Sequence, residues 1–551
     1  MTQHTIPGHQ ASPALEAIFR SHPDFAAFVA PYGDLYKVDA FGYLQQAARK
    51  AQLAEKTQSA EKTQSAEKAQ LAEQGEKKRG AVVLVTADTP LKASRGEGKT
   101  TTTIALIDAL RARGVDAAAV LRQPSMGITA AGSKGGASGG GKASLAHAQL
   151  ADWGLTGEMS RIADAQNLLV AFCEKAVDDG ILDRILIPRV SETPSRSLRR
   201  IAVDAGKLEE KTVITPASEM MQIVVLSRSQ EEVSRRVRGM IAGTKAGKPV
   251  MVADFVDVDR IVNVLGNALQ PAYMETVQGS PVYIHCGPFA NVSLGIPGLA
   301  AIDLACALHD LVVVEAGYGA DAGAQKWIDV AAREYGAQWP AAAVVVTRAS
   351  TWQDDPALRW RYPFHVRRLE GLGIPTFPLI NLWEGEDSHI PALRQTAQSL
   401  GFRQPMMGNL FRDGGEGIAN QLDDFLSAIS AQHQSSISIS QDSSSRKGRP
   451  IMDNLSQIIS EAYGVPAERI KSKDGFDQSL HEARDLAAQA GLNLDDLAVC
   501  AIKSPATMTD NDALPEGQRT VTLKKVSINA GSGIVGVNLT TSLTTPMPKI
   551  V

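Results

Sequence analysis

Between residues 80 and 431 the chain alternates two hydrophobic patterns. Short, near-continuous apolar runs recur at Ala81–Thr86, Ala117–Leu121, Val282–His285, Leu311–Glu315, Ala343–Thr347 and Thr376–Ile380. Longer stretches between them place apolar residues at the helical period. Runs this short, rich in β-branched residues and almost free of polar positions, predict strands covered on both faces by helices. The alternation therefore predicts an α/β fold: a mostly parallel sheet with helices on both faces, whose ligand site lies just beyond the carboxyl ends of the strands.

The pattern breaks twice. From Ala51 to Gln74 the chain repeats Glu-Lys-Thr-Gln-Ser-Ala, with almost nothing large and apolar apart from Leu53 and Leu71. Such a stretch cannot bury a core and reads as an insertion, either a solvated helix or a charged flexible linker. From Gln432 to Arg449 the chain is serine-rich. The breaks predict an N-terminal helical segment over 1–50, a charged repeat insertion over 51–79 and a large core over 80–340. A second α/β domain over 341–431, a serine-rich linker over 432–450 and a C-terminal α/β domain over 451–551 follow. The large sheet is thus expected to carry two smaller α/β domains.

Composition narrows the function classes. In 551 residues, 56 Lys and Arg face 60 Asp and Glu for a formal charge of -4, leaving no positive excess to hold nucleic acid. No apolar run reaches the roughly 20 residues needed to span a bilayer, and Met1 to Pro13 has no signal-peptide core, so a cytoplasmic protein is expected. Cys173, Cys286, Cys306 and Cys500 are widely spaced, which predicts buried reduced thiols and no structural metal.

Chemistry enters after the first strand. Gly96-Glu97-Gly98-Lys99-Thr100-Thr101 opens an amphipathic helix through Ile104, Leu106, Ile107 and Leu110. Glycines let backbone N–H groups approach phosphate, and the helix N-terminus adds its positive end. Lys99 is then placed to reach β/γ-phosphates and the Thr100 hydroxyl to ligate Mg²⁺. This strand, loop and helix predict a P-loop NTPase-like core over 80–340, although Ala93 stands where the first glycine of the strict motif belongs. After the next strand come Arg122-Gln123-Pro124-Ser125-Met126-Gly127 and the glycine-rich run Gly132 to Lys142. An arginine fork there suits a carboxylate or acyl phosphate.

These residues resemble the formate–tetrahydrofolate ligases (10-formyltetrahydrofolate synthetases). That family carries T-P-x-G-E-G-K-S/T-T and then R-E-P-S-L-G-P-x-F-G-x-K-G-G-A-A-G-G-G. Thr89-Pro90, Gly96 to Thr101, Arg122 to Gly127 and Gly132 to Gly141 follow it in order. Thr215 to Glu219, Gln278 to Pro281, His285 to Asn291, Glu315 to Lys326, Asp413 to Gly417, Val499 to Lys503, Asn529 to Gly533 and Thr545 to Pro548 echo later motifs. The chain departs from the pattern by Leu91 to Arg95 between Pro90 and Gly96, and by Gln123 where the family has glutamate. It also has Phe411 in place of a tryptophan and lacks K-x-H-G-G after Arg348-Ala349.

The resemblance implies ATP-dependent ligation of formate to tetrahydrofolate through formyl phosphate. Lys99 and Arg122 become the catalytic candidates, and Ala93, Ser94, Arg95, Gly96, Glu97, Gly98, Lys99, Thr100 and Thr101 the ATP loop. Arg122, Ser125, Gly139 and Gly140 are the candidates for formate and formyl phosphate. Phe289 and Trp383 are candidates for stacking on folate or alternatively core aromatics. Glu315 and Asp321 either help hold Mg²⁺ or a monovalent cation, which the family uses, or cap helices and brace their loop. His285 is equally a structural histidine. The resemblance also implies a homo-oligomer, a tetramer in the family. Two rival readings stay open: a divergent paralogue using acyl-phosphate chemistry on another carboxylate or amine, and a catalytically silent nucleotide- or folate-binding protein. A silent protein has no reason to keep Lys99, Thr100 and Arg122 together.

Overall fold

The computed structural model describes residues 11–62, 79–90, 96–124, 138–191, 200–203, 208–350, 356–434 and 444–539. Six apolar runs become strands of one ten-stranded sheet. In chain order its members are β1 (Val29–Tyr32), β2 (Leu35–Val38), β3 (Ala81–Ala87), β4 (Ala117–Leu121) and β5 (Ala272–Glu275). They continue with β6 (Pro281–Ile284), β7 (Leu311–Glu315), β8 (Ala342–Arg348), β9 (Thr376–Asn381) and β10 (Met406–Gly408). The spatial order is β1-β2-β5-β6-β4-β7-β3-β8-β9-β10. From β6 to β10 every neighbouring pair is parallel, whereas β5 and the β1/β2 hairpin are antiparallel.

Every residue of β3 is buried. Because successive strand side chains point to opposite faces, Val82 and Leu84 enter one core and Val83 and Val85 the other. On the second face lies the helix Lys99–Ala112, packing Ile104, Ile107 and Leu110. Leu299–Leu308 covers the first face with Leu299, Ile302 and Leu304. Both faces are therefore closed, as the continuous apolar runs require.

Three parts of the architecture differ from the expectation. The segment 1–50, expected to be helical, also contributes β1 and β2. The turn between them uses Gly33 at φ +60°, and four-residue strands are too short to leave a clear alternation. The helix Ala40–Lys62 runs on into the charged repeat, while repeat residues 63–74 lie outside the described residues. The stretch 341–431, expected as a second α/β domain, instead extends the main sheet, with β8 in parallel register against β3. Two three-stranded sheets also flank the core, one from Arg189–Ser191, Arg200–Val203 and Leu208–Ile214, the other from Arg184–Ile185, Ile241–Lys245 and Lys248–Met251.

The C-terminal unit carries a four-stranded sheet of β11 (Ile470–Ser472), β12 (Ala498–Ile502), β13 (Val521–Asn529) and β14 (Ile534–Leu539), in the order β11-β13-β14-β12. Helices Ile451–Tyr463 and Phe476–Gln489 cover it. Leu455, Ile459 and Phe476 fill its own core, yet Ala498, Cys500 and Ile534 join the main one. The four cysteines are buried and unbridged. No helix among the described residues is long and apolar enough to cross a membrane.

Two motifs about 300 residues apart meet at this junction. Ser218 caps the helix Glu219–Leu226, accepting from Met221 N at 3.1 Å. Glu219 accepts the Ser532 N–H at 3.1 Å, and Gln222 Oε1 accepts from Ser532 Oγ and Asn529 Nδ2, both at 2.8 Å. Burial pushes the Glu219 carboxyl up to about 7. The folded protein then retains a proton that the unfolded chain releases between about 4.5 and 7, so stability falls as pH rises through that window. Glu219→Gln keeps a carbonyl oxygen at the junction and removes the titration. Its melting temperature relative to wild type should rise between pH 5 and pH 8 in thermal scans; a difference independent of pH counts against the assignment.

Candidate active site

The site lies across the carboxyl ends of β4, β7, β3, β8 and β9, which are adjacent in that order. At the end of β3, Asp88 N donates to Val346 O at 2.9 Å, and Thr89-Pro90 lead towards the phosphate loop. Ala93, Ser94 and Arg95 lie outside the described residues. Gly96 and Gly98 take φ of +107° and +85°, values that an L side chain rarely adopts. Gly98 serves a second purpose, because a Cβ there would stand 2.3 Å from Asn381 Nδ2 at the end of β9. Glu97 is buried and accepts the Arg348 N–H at 3.1 Å, which ties the loop to the end of β8.

Lys99 and Thr100 begin the helix. The Thr100 hydroxyl donates to Glu315 Oε2 at 2.7 Å, at the end of β7. The other oxygen of the same carboxylate accepts Arg122 Nη2 at 2.9 Å, from the residue after β4. One buried carboxylate thus joins the phosphate loop to the arginine. Arg122 Nη1 lies 3.5 Å from Pro288 O, and its buried Nε has no partner among the described residues. Burial lowers the pKa of the Lys99 ammonium, with Glu315 opposing the effect. Burial also pushes Asp88 up to about 7, against the pull of Arg361 and with help from Glu97.

The segment after Glu315 is shaped for close approach. A Cβ on Gly317 would stand 2.8 Å from Arg122 Nη1, so only glycine lets the guanidinium lie against the backbone. Tyr318 sits at φ +56° without being glycine, a strained conformation that surrounding packing must hold. The chain then runs through two π-helical stretches, Ala320–Ala324 and Trp327–Ala332, a geometry concentrated at functional sites. Asp321, grouped with Glu315 in the sequence reading, goes elsewhere. It pairs with the ammonium of Lys503 and accepts the Thr89 hydroxyl at 2.8 Å. Although burial opposes ionisation, Lys503 and His365 hold the Asp321 carboxyl down at about 2. Its charge is answered by lysine rather than by an open cation position.

Ser125 lies outside the described residues. Gly139 and Gly140 form a small ribbon with Ala143 and Ser144. Added Cβ atoms there would meet Ile104 Cδ1 at 2.7 Å and Phe411 Cε2 at 3.0 Å, so these glycines pack the ribbon onto the phosphate-loop helix and onto Phe411. Phe289 is half-buried beside Pro288, while Trp383 is 44% exposed with the Arg348 guanidinium 5.4 Å from its ring centre. His285 is structural: Nε2 bonds Ala268 O at 2.9 Å, and burial lowers its pKa to about 4. Asn381, Arg348 and Gly317 were missed in the sequence. Gly317 stood inside a quoted motif and Arg348 beside a departure from one, but Asn381 gave no signal except position at a strand end.

The family model for formate–tetrahydrofolate ligase matches residues 40–354, which include Lys99, Thr100, Arg122 and Glu315. A formate–tetrahydrofolate ligase of Bifidobacterium longum (strain NCC 2705) is 63% identical over 526 residues, covering 95% of this chain and 99% of the relative. The chain belongs to the formate–tetrahydrofolate ligase family. A more distant ligase of that name, from Acidiphilium cryptum (strain JF-5), is 32% identical over 507 residues, 86% of this chain and 88% of the relative. The span of the Bifidobacterium match takes in the C-terminal unit as well, so the ligase family accounts for the whole architecture and not the phosphate-loop core alone.

The backbone of the loop makes a direct prediction. Gly98→Ala should weaken ATP binding at least tenfold by calorimetry, since it combines a left-handed φ with a clash on Asn381. Gly114→Ala provides the comparison, at φ +78° with nothing within 4 Å of an added Cβ; it should lower the melting temperature and leave ATP affinity within twofold.

Proposed function

We propose that the chain joins formate to tetrahydrofolate with cleavage of ATP to ADP and phosphate, through formyl phosphate, and that the Glu315 carboxylate is what brings the two halves of the first step together. The observation carrying this reading is the pair of bonds from one carboxylate, 2.7 Å to Thr100 and 2.9 Å to Arg122. They place a nucleotide-phosphate position beside a carboxylate-binding arginine.

Formate is a poor electrophile because its charge is delocalised over two oxygens. One oxygen attacks the γ-phosphorus of ATP, the bond to the β–γ bridging oxygen breaks, and ADP leaves. The formyl phosphate then has a carbonyl carbon with phosphate as leaving group. N10 of tetrahydrofolate attacks that carbon, loses its proton, and phosphate departs. Transfer of this kind depends on positioning and charge neutralisation. Lys99 follows the γ-phosphoryl oxygens, and the approach of that charge restores the ammonium that burial disfavours. Arg122 has an Nε without a partner among the described residues and a weakly engaged Nη1, donors suited to formate and then to the acyl phosphate.

Thr100 and Glu315 offer two hard oxygen donors side by side, a set that fits Mg²⁺, which supplies charge neutralisation on the phosphates when bound. Asp321 is left out of that set, since its carboxylate turns away to Lys503 and Thr89. By their motif, Ser125, Gly139 and Gly140 are assigned to formate and the formyl phosphate. Phe289 and Trp383 are the aromatic candidates for stacking on folate, and they follow strands at opposite ends of the row. The reading assigns no residue to a monovalent cation. It includes a homo-oligomer, which sedimentation velocity measures directly.

The retained set Lys99, Thr100 and Arg122, with relatives named for this ligation, favours it over a silent binding protein. Purified protein with MgATP, formate and tetrahydrofolate should give, after acidification, the absorbance of methenyl-folate. Lys99→Ala should abolish it. Gly317→Ala, which displaces the arginine fork, should raise the formate KM about tenfold or more while ATP affinity stays within twofold. Wild-type protein that binds ATP but gives no formate-dependent product would overturn the proposal.

A further inference from the structure

Thr89 is fully buried just before the phosphate loop, and its polar groups are all engaged. Its N–H donates to Asp88 Oδ1 at 2.7 Å, its hydroxyl to Asp321 Oδ1 at 2.8 Å, and its carbonyl accepts Arg361 Nη2 at 3.0 Å. His365 Nε2 stands 3.0 Å from the same hydroxyl. Since the hydroxyl spends its one proton on Asp321, His365 must donate through Nε2–H. Burial keeps that imidazole neutral, with a pKa lowered to about 4.

Two of these contacts lead into the C-terminal unit. Asp321 is paired with Lys503, a fully buried lysine immediately after β12, whose ammonium also donates to Thr507 O at 2.6 Å and Ser504 O at 3.0 Å. Arg361 donates through Nη1 to Asp512 Oδ2 at 3.2 Å. Asp512 is itself fixed by the N–H groups of Met508 and Thr509 at 2.9 and 2.7 Å and by the Thr509 hydroxyl at 2.7 Å. Trp360, next to Arg361, donates its indole N–H to Asp512 O at 2.8 Å. Two buried ion pairs from one unit therefore converge on a single threonine of another.

We infer that the C-terminal unit sets the shape of the phosphate loop through Thr89, with Lys503 and Asp512 as positioning residues. The inference rests on reading Gly96 to Thr101 as the nucleotide loop. Buried ion pairs are a poor means of simply holding two units together, because desolvation offsets most of their attraction and apolar packing does as well. Directional bonds are what charged pairs add. Here they fix the hydroxyl and carbonyl of Thr89 from two sides. Space around it is closed as well: a Cβ on Gly319 would stand 2.3 Å from Asp321 Oδ1 and 3.0 Å from Thr89 Cα. Asp321 belongs to the same strained segment that carries Gly317 under Arg122, so the C-terminal unit braces both sides of the site.

The test uses full-length protein and ATP binding by calorimetry, with melting temperature beside it. Thr89→Val keeps the shape and removes the hydroxyl; it should weaken ATP binding about tenfold, and Thr89→Ser should restore it to within twofold. Lys503→Met should weaken ATP binding at least as much, and the double variant should be no weaker than Lys503→Met alone, because both act through one route. Asp512→Asn gives a second route should Lys503→Met fail to fold, and should lower ATP affinity severalfold. Wild-type affinity in folded Thr89→Val overturns the inference whatever the other variants do, and so do multiplicative effects in the double variant. ATP binding by the wild type without ligation overturns only the proposed reaction; absence of ATP binding by the wild type overturns both.

Discussion

The Glu315 carboxylate is the constraint on which the site depends. A carboxylate buried at a strand end is tolerated only when its oxygens are matched by donors. Here the donors come from two neighbouring strands' loops, the Thr100 hydroxyl on one side and the Arg122 guanidinium on the other. Because β4, β7 and β3 are adjacent and parallel, their carboxyl ends bring these residues together without any further device. The same bonds that satisfy the buried charge set the distance between the Thr100 hydroxyl and the Arg122 fork.

A second layer of buried charge holds the units around that row. Asp329, on the π-helical segment, receives Gln325 at 3.0 Å, Arg446 at 3.2 Å, Arg333 at 3.3 Å and Arg368 at 3.4 Å. Arg446 comes from the segment just before the C-terminal unit and reaches Glu461 of that unit at 2.8 Å. Asp321, eight residues earlier, takes Lys503 from the same unit. The residues that follow Glu315 thus serve as a hub, with one edge under Arg122 and the other against the C-terminal sheet. Removing one member of such a cluster leaves uncompensated charge inside the protein, which costs several kcal/mol, on the order of 3 to 5. Strain at Tyr318 and the π-helical turns persists because this cluster holds both ends of the segment.

How far the sequence was legible varies element by element for physical reasons. Strands β3, β4, β6, β7, β8 and β9 announced themselves because burial on both faces leaves a continuous apolar run. The phosphate loop was legible because glycines and Lys99 sit in consecutive positions of one turn. The β1/β2 hairpin was not, since its strands are short and its pairing partner β5 is more than 200 residues away. Nor was the membership of β8 to β10 in the main sheet, because the local pattern of a strand carries no information about which strand lies beside it. Asp321 shows the same limit for the site. Its motif placed it next to Glu315 in sequence, but its partner is a lysine 182 positions later, and the ion pair turns it towards the C-terminal unit.

The amino-acid sequence by itself determined the fold class, the glycine-rich turn that opens the Lys99 helix, the candidacy of Lys99, Thr100 and Arg122, and the family. Each of these rests on residues close together along the chain, where spacing alone constrains geometry. Only the tertiary structure decided that Thr100 and Arg122 share the Glu315 carboxylate, that Asn381 and Arg348 close the loop from β9 and β8, that Gly139 and Gly140 pack against a helix and an aromatic ring, and that Lys503 and Asp512 reach Thr89. Those relations join residues tens to hundreds of positions apart. They depend on strand order and on which buried charges find one another, quantities settled by packing of the whole chain.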